Sequence, residues 1–140
     1  MEEAIRQFER QHALELPAQL REALLNNQIP DGKRGWFETE DRKVAGWITQ
    51  FWPVESDDGE SYASEYAQLS LGQMLPRNLL SIALVANNDR IVISLDGEDR
   101  GYVYYWAWSE EPDPETNSYQ YLRRIAVGFS EFLAALREEI

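Results

Sequence analysis

Residues 79–108 read LLSIALVANNDRIVISLDGEDRGYVYYWAW. Two apolar runs, residues 79–85 and 91–95, are separated by Asn87-Asn88-Asp89, and Asp96-Gly97-Glu98-Asp99-Arg100-Gly101 separates the second from an aromatic run at 102–108. β-Branched and aromatic side chains fit a pleated, half-buried surface, while Asn, Asp and Gly tolerate the positive φ that a tight reversal needs. Three such runs joined by short turns predict an antiparallel meander, because strands linked by tight turns pair antiparallel. In the third run the strand period of two puts Tyr102, Tyr104, Trp106 and Trp108 on one face and Val103, Tyr105 and Ala107 on the other. The larger set, Trp106 included, is expected to pack under the C-terminal helix.

Working outward, Tyr62, Tyr66 and Leu69 recur at helical spacing and anchor a short helix, while Trp36-Phe37 and residues 44–51 have strand composition, the latter ending at Pro53. On the N-terminal side, residues 2–10 place Ile5 and Phe8 on one face of a short amphipathic helix, with His12 at its end as an exposed or capping residue. Leu16-Pro17 opens a second helix with Pro in its first turn, where a missing N–H is harmless; Leu20, Ala23 and Leu24 form its buried stripe, and Asn26-Asn27 is a left-handed stop. At the other end, residues 128–139 put Phe129, Phe132, Leu133 and Leu136 on one helical face behind Gly128 as N-cap. Residues 119–125 fit either a further strand or the lead-in to that helix. The fold class expected is α+β, a mostly antiparallel sheet with N-terminal helices and a C-terminal helix packed on it. A length of 140 residues with no linker or repeat fits a single domain over 1–140.

Composition excludes several functions. The chain carries 25 acidic residues against 13 basic ones, a formal net charge of −12, and such a field repels nucleic-acid phosphates and anionic lipids while drawing in basic partners. No nucleic-acid or membrane partner is therefore expected. With no cysteine, neither a disulfide framework nor a thiolate site is available, and the N-terminus has no basic and apolar leader, so a cytoplasmic location is expected.

The order of motifs carries a resemblance. It runs from Leu16-Pro17 and Asn26-Asn27 through Trp47-Ile48-Thr49-Gln50-Phe51, Leu75-Pro76 and Ser81-Ile82-Ala83. It continues with Ile91-Val92-Ile93-Ser94-Leu95 and Gly101-Tyr102-Val103-Tyr104-Tyr105-Trp106, and closes on Ala126-Val127-Gly128-Phe129-Ser130-Glu131-Phe132-Leu133. In this order the chain resembles the SUKH superfamily, which includes a yeast cell-wall-synthesis regulator and many bacterial toxin-immunity proteins. The turns depart from the family pattern: Asn26-Asn27-Gln28 stands where an Asn-Gly-Gly-like turn is usual, and Asn88-Asp89-Arg90 where Gly-Asn is. The resemblance implies helices on an antiparallel sheet and neutralisation of a toxin domain by direct binding. The alternative it implies is a regulatory or scaffolding domain for an endogenous protein.

Catalytic machinery is not indicated. His12 is the only histidine and there is no Gly-x-Ser-x-Gly elbow, so a nucleophilic triad is not expected, and the absence of Gly-rich phosphate loops argues against a nucleotide cofactor. No cofactor, metal or enzymatic activity is expected. Asp57, Asp58 and Glu60, or Asp96, Glu98 and Asp99, lack the spacing of a calcium loop and read as solvated turns. A carboxylate pair of the glycosidase kind is left open, because only a defined separation would reveal one. Acidic residues concentrate instead in two loops, Asp57, Asp58 and Glu60 in one and Glu110, Glu111, Asp113 and Glu115 in the other. Trp108 adjoins the second. An aromatic anchor beside steering carboxylates suits a basic protein surface, so these eight residues are the candidate contact set for a basic toxin domain. Oligomeric state is not legible.

Overall fold

The computed structural model describes residues 1–29, 35–57, 59–72, 75, 78–107 and 122–137. Their element order is α1 (Glu2–His12), α2 (Ala18–Leu25), β1 (Trp36–Glu38), β2 (Ala45–Phe51), α3 (Tyr62–Glu65) running into a π-helical turn (Tyr66–Ser70), β3 (Leu79–Val85), β4 (Arg90–Ser94), β5 (Val103–Trp106), β6 (Leu122–Ala126) and α4 (Phe129–Ala135). The six strands form one antiparallel sheet in sequence order, an α+β architecture with the meander at its centre. Of residues 119–125, left open between a strand and the lead-in to the last helix, those described, 122–125, lie in a strand, β6. Among the described residues no helix is long and apolar enough to cross a membrane.

Local chemistry explains most boundaries. α1 continues through His12 and stops at Ala13 in the left-handed region, φ 53°, whose amide donates to the Arg10 carbonyl. Pro17 is the N-cap of α2 rather than its first helical residue, with ψ 141° and its carbonyl accepting from the Arg21 amide at 3.0 Å. The predicted stop is made by Asn27 at φ 54°, and the β3–β4 reversal by Asn88 at φ 74°. Gly128 is the N-cap of α4 in extended backbone, and a Cβ there would run into the Glu131 carboxylate and stand 2.7 Å from Gln19 Oε1. Gln19 Oε1 also accepts from the Ser130 amide at 2.9 Å, so α2 helps to cap α4.

Both faces of the meander are covered, which is why β3 and β4 read as nearly continuous apolar runs instead of alternating. On one face the opposed pairs Leu80–Ile93, Ile91–Tyr105 and Ile93–Val103 join Phe8, Leu20, Phe129 and Phe132 in the larger core. On the other, Leu69, Leu75, Leu79, Val92 and Trp106 form a second cluster. Trp106 is fully buried, yet it packs under the segment that follows α3 and not beneath α4; the smaller set, Val103 and Tyr105, shares the core of α4. The expectation that the larger aromatic set lies under the C-terminal helix is thus corrected. A one-residue alternation decides the face, and sequence does not show which layer each helix occupies.

The sheet curls so that its outer strands approach. Past β1, the Glu40 amide donates to the Arg124 carbonyl at 2.9 Å, and Arg124–Glu40 and Arg123–Asp41 ion pairs close the same gap, each at 2.7 Å. Arg137, beyond α4, pairs with Trp36 through two backbone bonds of 2.9 and 3.0 Å. Phe37 stacks on Tyr105 across the enclosed core, with ring centroids 5.7 Å apart. The exposed edge that invites unwanted strand pairing is thereby covered.

Candidate functional site

The first acidic loop leaves the sheet after Trp52 and Val54, both buried, and returns where the Tyr62 amide donates to the Pro53 carbonyl at 2.9 Å. Its ends are thus clasped. Between them Glu55 and Asp57 are exposed. Glu60 is half-buried and accepts from the Ser64 hydroxyl at 2.9 Å, beside a capping box in which Ser61 and Ser64 satisfy each other's amides. Asp57 therefore stands exposed between clasped loop ends, while Glu60 is partly committed to starting α3. Of the other contact candidates, Asp58, Trp108, Glu110, Glu111, Asp113 and Glu115 lie outside the described residues.

Several carboxylates have internal partners. Glu65, just past the first acidic loop in sequence, is only 1% exposed. Its Oε1 accepts from Ser81 Oγ at 2.5 Å and Arg90 Nε at 2.9 Å, and the Ser81 hydroxyl in turn accepts from Trp52 Nε1 at 3.1 Å. Arg90 also lies 5.9 Å from the Trp52 ring centre. Asp99, expected in a solvated turn, is half-buried and accepts from Ser94 Oγ and Tyr104 OH, each at 2.7 Å. Burial, with this carboxylate second, raises the Tyr104 pKa. The buried Asp89 carboxylate accepts from Tyr105 OH. These groups hold turns and layers together; within the described residues no three of His, Asp and Glu gather as a metal would require.

Sequence reading did not find a wide cleft beside α1. An opening of about 750 Å³ is lined by Arg6, Arg10 and His12 of α1, Tyr66, Asp96 and Arg100, among others. Arg6 and Arg10 share a helix face by their spacing of four, the signal that was available. His12 is not an exposed cap. Its ring sits 4.9 Å from those of both Phe8 and Tyr66, burial lowers its pKa, and its Nε2 is buried with no hydrogen-bond partner.

The fold, with paired helices ahead of a six-stranded antiparallel sheet and one helix after it, accompanies a family match. The model of the SMI1/KNR4 family (SUKH-1) fits residues 1–135. The chain belongs to this family. The match spans every element from α1 to α4, and the ordered motifs that resembled the superfamily all lie within it. No curated protein and no solved structure gives a match. Membership supports, in general terms, a toxin-immunity or regulatory role exercised through a protein partner.

Proposed function

We propose that this SUKH-1 domain is an immunity-type binding protein, a single domain over residues 1–140 that neutralises a toxin domain in the cytoplasm by direct contact and without catalysis. The observation that carries the reading is family membership across 1–135. The charge gives the partner its sign: 25 acidic residues against 13 basic ones favour a basic surface. Asp57, Asp58 and Glu60 form one arm of the contact and Glu110, Glu111, Asp113 and Glu115 the other, with Trp108 as anchor. Supporting this assignment, Asp57 is exposed on a clasped loop, whereas Glu65, Asp89 and Asp99 bond within the fold.

The test is co-expression with any toxin domain encoded beside this gene. Restored growth and a co-purifying complex are expected; continued toxicity without complex formation contradicts the proposal. Because the family also has regulatory members, the second reading is a domain that binds an endogenous protein. Recovery of one housekeeping partner from cells lacking the toxin favours it.

A further inference from the structure

We infer that the cleft between α1 and the β4–β5 turn binds a carboxylate-bearing peptide segment of a protein partner, whether that partner is a toxin or an endogenous protein. In a chain with nearly twice as many acids as bases, Arg6, Arg21, Arg90, Arg123 and Arg124 pair with carboxylates, Arg6 of this cleft with Glu2. Arg10 and Arg100, both on this cleft, pair with no carboxylate among the described residues. Arg100 is instead held by neutral acceptors, its guanidinium donating to the Leu95 carbonyl at 2.5 Å and the Leu16 carbonyl at 3.2 Å. Those bonds orient the group without neutralising it, which leaves a planar donor ready for an oxyanion.

His12 adds an independent observation. Its ring lines the same cleft, and Nε2, shielded from solvent as the ring lies, has no hydrogen-bond partner among the described residues; a small turn of the ring toward the cleft would let a ligand oxygen satisfy it. Burial lowers the ring's pKa and so favours its neutral form, and in the Nε2–H tautomer the ring donates to such an oxygen. Glu9, the nearest acid on α1, is already taken by Arg21 and the Leu16 amide.

The other acids select the ligand. Glu15 and Asp96 also line the cleft, and with a net charge of −12 they oppose a free dianion such as phosphate. A peptide segment answers both signs, its carboxylate toward Arg10, Arg100 and His12 and its backbone amides toward Glu15 and Asp96. A volume of about 750 Å³ also suits several residues better than one ion.

Because the chain has one histidine, its ring protons are an unambiguous NMR reporter. The full-length protein is titrated at constant ionic strength with the acetylated, amidated tripeptide Gly-Asp-Gly, with sodium acetate and with inorganic phosphate. The tripeptide should shift the His12 resonances saturably and more tightly than either small anion. Arg10→Gln, an exposed change, should weaken it about tenfold, while Lys43→Gln, equal in charge but distant in the fold, should not. A non-saturating response, acetate or phosphate matching the tripeptide, or Arg10→Gln binding like the wild type would each overturn the inference.

Discussion

The two faces of the β3–β5 meander are both buried but are built differently. Toward α4, Leu80, Ile91, Ile93 and Val103 meet Phe129 and Phe132, an apolar interface in which shape does the work. Toward α3, Ser81 and Arg90 share the face with Val92 and Trp106, and Arg90 holds Glu65 where apolar packing would otherwise suffice. Apolar burial is non-directional and contributes in proportion to area, whereas a buried ion pair roughly breaks even against desolvation but fixes one arrangement. The α4 face therefore supplies stability. The α3 face fixes how the segment carrying the first acidic loop is seated.

The contrast can be broken first on the apolar side. Phe132→Ala should cost about 3–5 kcal/mol by transfer and cavity terms together, read as a loss of unfolding free energy in denaturant. On the ionic side, Glu65→Leu takes away the carboxylate to which Arg90 Nε donates and should cost about 3 kcal/mol, while adding Arg90→Met should restore most of that loss. A double variant no more stable than Glu65→Leu alone would show that the pair supplies net stability instead of specificity. A smaller effect is expected at the start of α3, where Ser61→Ala removes the cap and should cost about 1 kcal/mol.

The smallest effect concerns the curl of the sheet. The Thr39 hydroxyl, the Lys43 amide and Arg123 lower the Asp41 pKa from 3.8 to about 2. The folded value lies below the unfolded one, so its contribution is complete above about pH 4 and is lost as pH falls through about 2. A carboxylate NMR titration of Asp41 should give that low midpoint, and Arg123→Gln should raise it slightly. A midpoint near 4 would mean that the turn past β1 is not tied down.

What sequence made legible follows from this division. Apolar periodicity marked Leu20, Ala23 and Leu24, the meander and the buried side of α4, because local spacing encodes which side chains share a face. It did not mark Glu65 and Arg90, 25 positions apart, or the closures Asp41–Arg123 and Glu40–Arg124, 82 and 84 apart. Long-range ion pairs have no period. The same limit governs the candidate site. Composition located the first acidic loop, but Glu60 in it is shared with Ser64, Asp57 is exposed, and Glu65 just beyond it is buried. The cleft around His12 was illegible because its parts come from α1, the π-helical turn and the β4–β5 turn, which only the tertiary fold brings together.

The central claim is that a partner with a basic surface is captured through acidic loops. Its most direct test is the association rate with a toxin domain of the kind the proposed function calls for, measured from low to high salt. For the wild type the rate should fall steeply as salt rises, and replacing Glu110, Glu111 and Asp113 with Ser should slow association at low salt and flatten that dependence. A rate indifferent to salt, or a triple variant that associates like the wild type, would contradict it.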